Sequence, residues 1–193
     1  MPVNKRSGKA GFTLIEVVIG IMVFAIAMSL FISFIVPQAR QSVDPILQVR
    51  ASELAQSLMS EIASKAFDEY SQRTGSNMRC NESGNPVCTQ SSLLGPDSGE
   101  TRNAYNDVDD YNGLNASGSN IQNGLGAAIT LDGSVLYAGF TVTVRVFYDD
   151  DMDGIDDALT GGAAYVGNSK LIRITITTPG GDDMVFSSYR SNY

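Results

Sequence analysis

The stretch Gly11-Phe12-Thr13-Leu14-Ile15-Glu16 opens an apolar run that continues to Val36, and the rest of the chain is read outward from it. From Phe12 to Val36 there are 25 residues, among which Glu16 is the only ionisable one. A helix of that length spans ~37 Å at ~1.5 Å per residue, more than the ~30 Å hydrocarbon core of a bilayer. The run therefore predicts a membrane helix over 12–36. A secretory signal peptide has a shorter apolar region, ~7–15 residues, and a small-residue cleavage site behind it. No such site precedes the polar body here. A plain anchor accounts for the length but not for Glu16, since a carboxylate facing lipid costs ~2.5–3.5 kcal/mol at mid-membrane and less near an end. Glu16 is either a carboxylate tolerated at the interface or a functional group that needs a partner.

Charge sets the orientation and narrows the function. Lys5, Arg6 and Lys9 precede the run, and only Arg40 lies close behind it. Positive charge marks the cytoplasmic side, so the N-terminus is expected in the cytoplasm and the body across the membrane. The whole chain carries −8; beyond residue 11 it has 10 basic and 21 acidic residues, a balance of −11. Nucleic-acid binding needs clustered Lys and Arg, so no nucleic-acid partner is expected. The chain has no histidine, which removes the usual general base and a common metal ligand. With no triad candidates and no phosphate loop either, an enzyme is not expected. Cys80 and Cys88 fit one disulfide if the body lies outside the cytoplasm; a pair of surface thiols is the alternative.

The segment Lys9-Ala10-Gly11-Phe12-Thr13-Leu14-Ile15-Glu16 resembles the prepilin processing site of type IV pilins and of the related type II secretion pseudopilins. Gly11 to Glu16 match without substitution; Ala10 departs, standing where many members have a basic residue. The resemblance implies a leader over 1–11, cleavage between Gly11 and Phe12 by prepilin peptidase, and N-methylation of Phe12. It also implies that Glu16 makes an assembly contact, pairing with the methylated amine of Phe12 on an adjacent subunit. A cationic amine and a carboxylate in a membrane each need a counter-charge, and staggered helices supply one.

Downstream, Pro37 is expected to interrupt the helix, because it has no N–H for the carbonyl of Ser33. Asp44-Pro45 reads as a helix start. Leu47, Ala51, Leu54, Leu58 and Ile62 then follow helical spacing, so an amphipathic helix is expected within 37–66, to about Ala66. The body is expected over 67–193. Within it, 68–128 reads as a long, partly ordered loop, and Asp107, Asp109 and Asp110 read as a solvated turn. Alternation predicts strands over Thr141 to Tyr148 and Lys170 to Thr178, a shorter one over Met184 to Tyr189, and a candidate over Ala128 to Tyr137. The result is an α+β body, with the amphipathic helix on an antiparallel sheet. This is the fold that the pilin resemblance implies.

Between the two best strands, Asp149, Asp151 and Asp153 alternate, with Gly154 next and Asp157 four residues beyond Asp153. The opening matches an EF-hand loop, but Thr160 stands where the bidentate Glu belongs. The loop is read either as a Ca²⁺ site or as a solvated acidic turn; no cofactor is required. Asp44 to Arg50, Leu94 to Asp97 and Tyr105 to Tyr111 are similar to stretches of minor pilins of the mannose-sensitive haemagglutinin (MSHA) type. The resemblance implies a structural subunit supporting adhesion, held in the inner membrane before entering an extracellular pilus. Its partners are then other pilin subunits and the pilus assembly machinery. The alternative is a minor pseudopilin of a type II secretion system.

Overall fold

A computed structural model describes residues 11, 13–41, 44–71 and 79–192. The leader residues 1–10 and the expected modification at Phe12 lie outside the described residues. The chain divides into two compact units, 1–45 and 46–193.

The first unit holds α1, Leu14–Gln41. Within it Leu14–Ser33 is long and apolar enough to cross a membrane, with mean hydropathy 2.6 and none of its surface buried. The hydroxyls that interrupt this surface are satisfied inside the helix: Ser29 donates to the Ile26 carbonyl at 2.9 Å and Ser33 to that of Leu30 at 2.7 Å. Such back-bonding lets serine sit in an apolar helix without an orphaned donor. The expected interruption at Pro37 is not found, since α1 continues to Gln41. Proline removes one helical hydrogen bond, and this one falls near the end of a long helix. The other bonds carry the helix past it.

The second unit is built on α2, Asp44–Ala63, which starts where Asp44-Pro45 predicts and ends about a turn before Ala66. Four strands form an antiparallel sheet in the order β1–β4–β5–β6: β1 Asn115–Ser117, β4 Thr141–Tyr148, β5 Ser169–Thr177 and β6 Asp183–Ser191. The candidate at 128–137 is a small hairpin, β2 Thr130–Leu131 with β3 Ser134–Val135. The register sets Val142 opposite Ile176, Val144 opposite Ile174 and Val146 opposite Ile172. These six side chains are buried against Ala51, Leu54, Ala55, Leu58 and Ile62 of α2. The alternation and the helical spacing thus meet in one core, as the sequence predicts.

The middle segment departs from expectation. Val108, Tyr111 and Ile121 are buried in that same core. Asp107, Asp109 and Asp110, expected in a solvated turn, are only 2–4% exposed. The reason is backbone pairing: Val108 N–H donates to Ala66 at 3.0 Å and Ala66 N–H to Asn106 at 3.2 Å, which docks this run beside the chain leaving α2. Cys80 and Cys88 form a disulfide with Cα atoms 4.9 Å apart, in a second cluster with Phe67 and Tyr148.

Candidate functional site

At the N-terminal site, Gly11 is exposed and not helical. Helix α1 begins directly after Thr13, whose carbonyl accepts from Glu16 N–H at 3.1 Å and Val17 N–H at 3.2 Å. The Thr13 hydroxyl oxygen also accepts from Glu16 N–H, at 3.4 Å. Thr13 is therefore the cap, and Glu16 stands three residues on, the spacing of a capping box. This role of the pair was open to sequence reasoning as a Thr-x-x-Glu pattern before an apolar run. A carboxylate in the first turn also meets the positive end of the helix dipole. Gly11, on the N-terminal side of the expected cleavage, stands outside this helix.

In the acidic loop, Asp149, Asp151 and Asp153 are brought together, each offering an oxygen within 4.8 Å of the others. The turn is tight, with Met152 at φ 61° and Gly154 at φ 82°, a conformation glycine adopts without penalty. Asp149 is the centre: its Oδ1 accepts from Asp153 N–H at 3.1 Å, and its Oδ2 from Gly154 N–H at 2.8 Å and the Tyr189 hydroxyl at 2.7 Å. Burial disfavours its charge, but the bonds from Tyr189 and the backbone outweigh that and lower its pKa. The same bond raises the Tyr189 phenol to about 12. Asp157 stands apart from this group; its Oδ2 accepts from Asp150 N–H at 2.8 Å. Converging carboxylate oxygens are the donor set of a hard cation, and three of the four expected ligands, Asp149, Asp151 and Asp153, share that arrangement.

A third polar cluster was not anticipated. Lys170 is fully buried, and its Nζ donates to Asp109 at 2.7 Å, Asp68 at 3.0 Å and the Phe67 carbonyl at 2.8 Å. The Phe67 ring lies 4.4 Å from the ammonium. Beside this, burial and the neighbouring Asp109 push the Asp107 carboxyl up to about 9. Lys170 falls at the same parity as Ile172, Ile174 and Ile176, and that alternation was the available signal that it faces inward.

Residues 6–32 match the family described as the prokaryotic N-terminal methylation motif. The match spans 27 of the 193 residues and shows an N-terminal segment similar to that motif. The matched range takes in Gly11, Phe12, Glu16 and most of the apolar part of α1. It supports a type IV pilin-like or pseudopilin subunit, a structural rather than enzymatic class, processed by prepilin peptidase and assembled with other pilins. No curated protein and no solved structure matches the chain.

Proposed function

We propose that this chain is a minor pilin of an MSHA-type type IV pilus. The leader is removed after Gly11, Phe12 is methylated, and the subunit waits in the inner membrane with its N-terminus cytoplasmic. It is then drawn into the filament, or starts one, and supports adhesion. The observation that carries this reading is the processing segment joined to an apolar helix with no buried surface. Such a surface calls for lipid before assembly and neighbouring helices after it. The loop carboxylates of Asp149, Asp151 and Asp153, with Asp157 as a fourth donor after rearrangement, are proposed to hold Ca²⁺.

The test is the protein content of purified MSHA-type pili, read by mass spectrometry. The expected result is a peptide beginning at methylated Phe12, present well below the main subunit. A chain missing from pili, with a deletion that blocks protein secretion, assigns the subunit to a type II pseudopilus instead.

A further inference from the structure

Lys170 of β5 and Asp109 of the middle segment are both buried, and the lysine Nζ stands 2.7 Å from Asp109 Oδ1. The rings of Phe67 and Tyr148, themselves buried, lie 4.4 and 5.3 Å from Nζ. An ammonium and a carboxylate taken out of water repay their lost hydration only in part by pairing. The same two groups are the reactants of an amide, which is neutral. Reactants fixed in contact behave as if present at ~10⁵–10⁸ M when their geometry is right, and a dry site favours the product that carries no charge. Lys170 and Asp109 meet both conditions.

The other two carboxyls of the cluster are placed differently. Asp68 Oδ2 lies 3.0 Å from Nζ, and Asp68 also accepts from the N–H groups of Tyr70 at 3.1 Å and Thr89 at 2.9 Å. It is thus held by the backbone, whereas Asp109 accepts no backbone N–H among the described residues. Asp107 Oδ1 accepts from the N–H groups of Asp109 and Asp110 at 2.9 and 3.2 Å, which fixes this carboxyl beside Asp109. Burial and Asp109 keep the proton on Asp107, and the two side chains share a hydrogen bond. Asp68 is therefore set to take a proton from Nζ, and Asp107 to give one to Asp109.

We propose that Lys170 and Asp109 condense to an intramolecular amide that cross-links β5 to the middle segment. The ion pair is the reactant state. The bond formed joins Nζ to Cγ of Asp109, and the bond broken is one of the Cγ–O bonds. Two protons leave nitrogen, one to Asp109 along the 2.7 Å contact and one to Asp68. Asp107 supplies the second proton that Asp109 oxygen needs to depart as water. That water carries the proton on Asp68 back to Asp107, so both acids end as they began and nothing is oxidised or reduced. The N–H that remains keeps its bond to the Phe67 carbonyl, and Asp68 keeps its backbone donors. The test is the mass of the full chain, purified from membranes, reduced and denatured. It is expected to weigh one water less than its composition. Acylated Lys170 resists trypsin, so digestion is expected to leave residues 103–145 joined to 146–173. Asp109→Ala and Lys170→Met are expected at full mass and with no joined peptide. Asp107→Asn keeps both reactants but has no proton to give, and is expected to carry the link at least tenfold less often; an equal yield overturns the part assigned to Asp107. The unaltered chain at full mass, or a missing water found on a linear peptide, overturns the proposal, whether or not any variant folds.

Discussion

At the scale of single residues, Glu16 and Asp107 show two ways a carboxylate is kept in an unfavourable place. Glu16 sits at the start of an exposed apolar helix, three residues after its cap Thr13. It can serve the cap, the assembly contact, or both, and substitutions separate these roles. Glu16→Gln keeps a side chain that can complete a capping box but has no charge; Glu16→Ala has neither. If the charge pairs with the amine of Phe12 on a neighbour, both variants enter filaments at least tenfold less than wild type. Recovery in Glu16→Gln assigns the residue to the cap. Asp107 keeps its proton in the folded chain up to about pH 9, against an ordinary value of 3.8. Between those values the unfolded chain binds fewer protons, so this group makes stability fall as pH rises. Asp107→Asn removes that titration while its amide still accepts from the N–H groups of Asp109 and Asp110. Denaturant unfolding from pH 5 to pH 9 should show a flatter decline in the variant. An identical slope in the two proteins rules the assignment out.

At the scale of elements, α2 and the strands were legible because each has one buried face. Leu54, Leu58 and Ile62 repeat at helical spacing, and Val142, Val144 and Val146 alternate, so burial is written into the order of residues. The 105–111 run has no such period. Its aspartates look solvated in sequence because their partners are remote: Lys170 for Asp109, and the backbone of Ala66 for the turn that carries Asp107. Lys170 thus ties β5 to two separate loops through Asp68 and Asp109. Removing one member of a buried pair costs about 3–5 kcal/mol, because the remaining charge is stranded. Lys170→Met should lower unfolding stability by about that amount at neutral pH, with part of the loss recovered at acid pH as the two carboxyls take up protons. A loss below about 1 kcal/mol would mark the cluster as an ordinary exposed pair.

At the scale of the whole molecule, an exposed apolar helix and an acidic body divide the work. The helix surface suits lipid or other helices, and the body carries the loop whose carboxylates repel one another. Six of the nine residues 149–157 are aspartates, and a bound cation would relieve that repulsion. Calorimetry on the full chain in nanodiscs should show calcium binding in the range of extracellular modules, ~10⁻⁴–10⁻³ M. Asp151→Asn with Asp153→Asn should abolish it, while Asp157→Asn should weaken it less. No heat from the unaltered chain up to millimolar calcium removes the calcium reading.

The sequence by itself determined the membrane-length helix, its processing segment and the helix-on-sheet core, because each rests on local order: an unbroken apolar run, a contiguous motif, a repeating period. Tertiary structure alone decided that 105–111 is core, that Lys170 is buried between Asp68 and Asp109, and that Arg102 reaches Glu61 with a donor to spare. Those outcomes depend on contacts between residues 41 to 102 positions apart. No period in the chain encodes such a pairing; only the closed fold, which must find a partner for each buried charge, selects it. Glu16 stands on the sequence side of that division: its oddity in an apolar run and its spacing from the Thr13 cap are both local order.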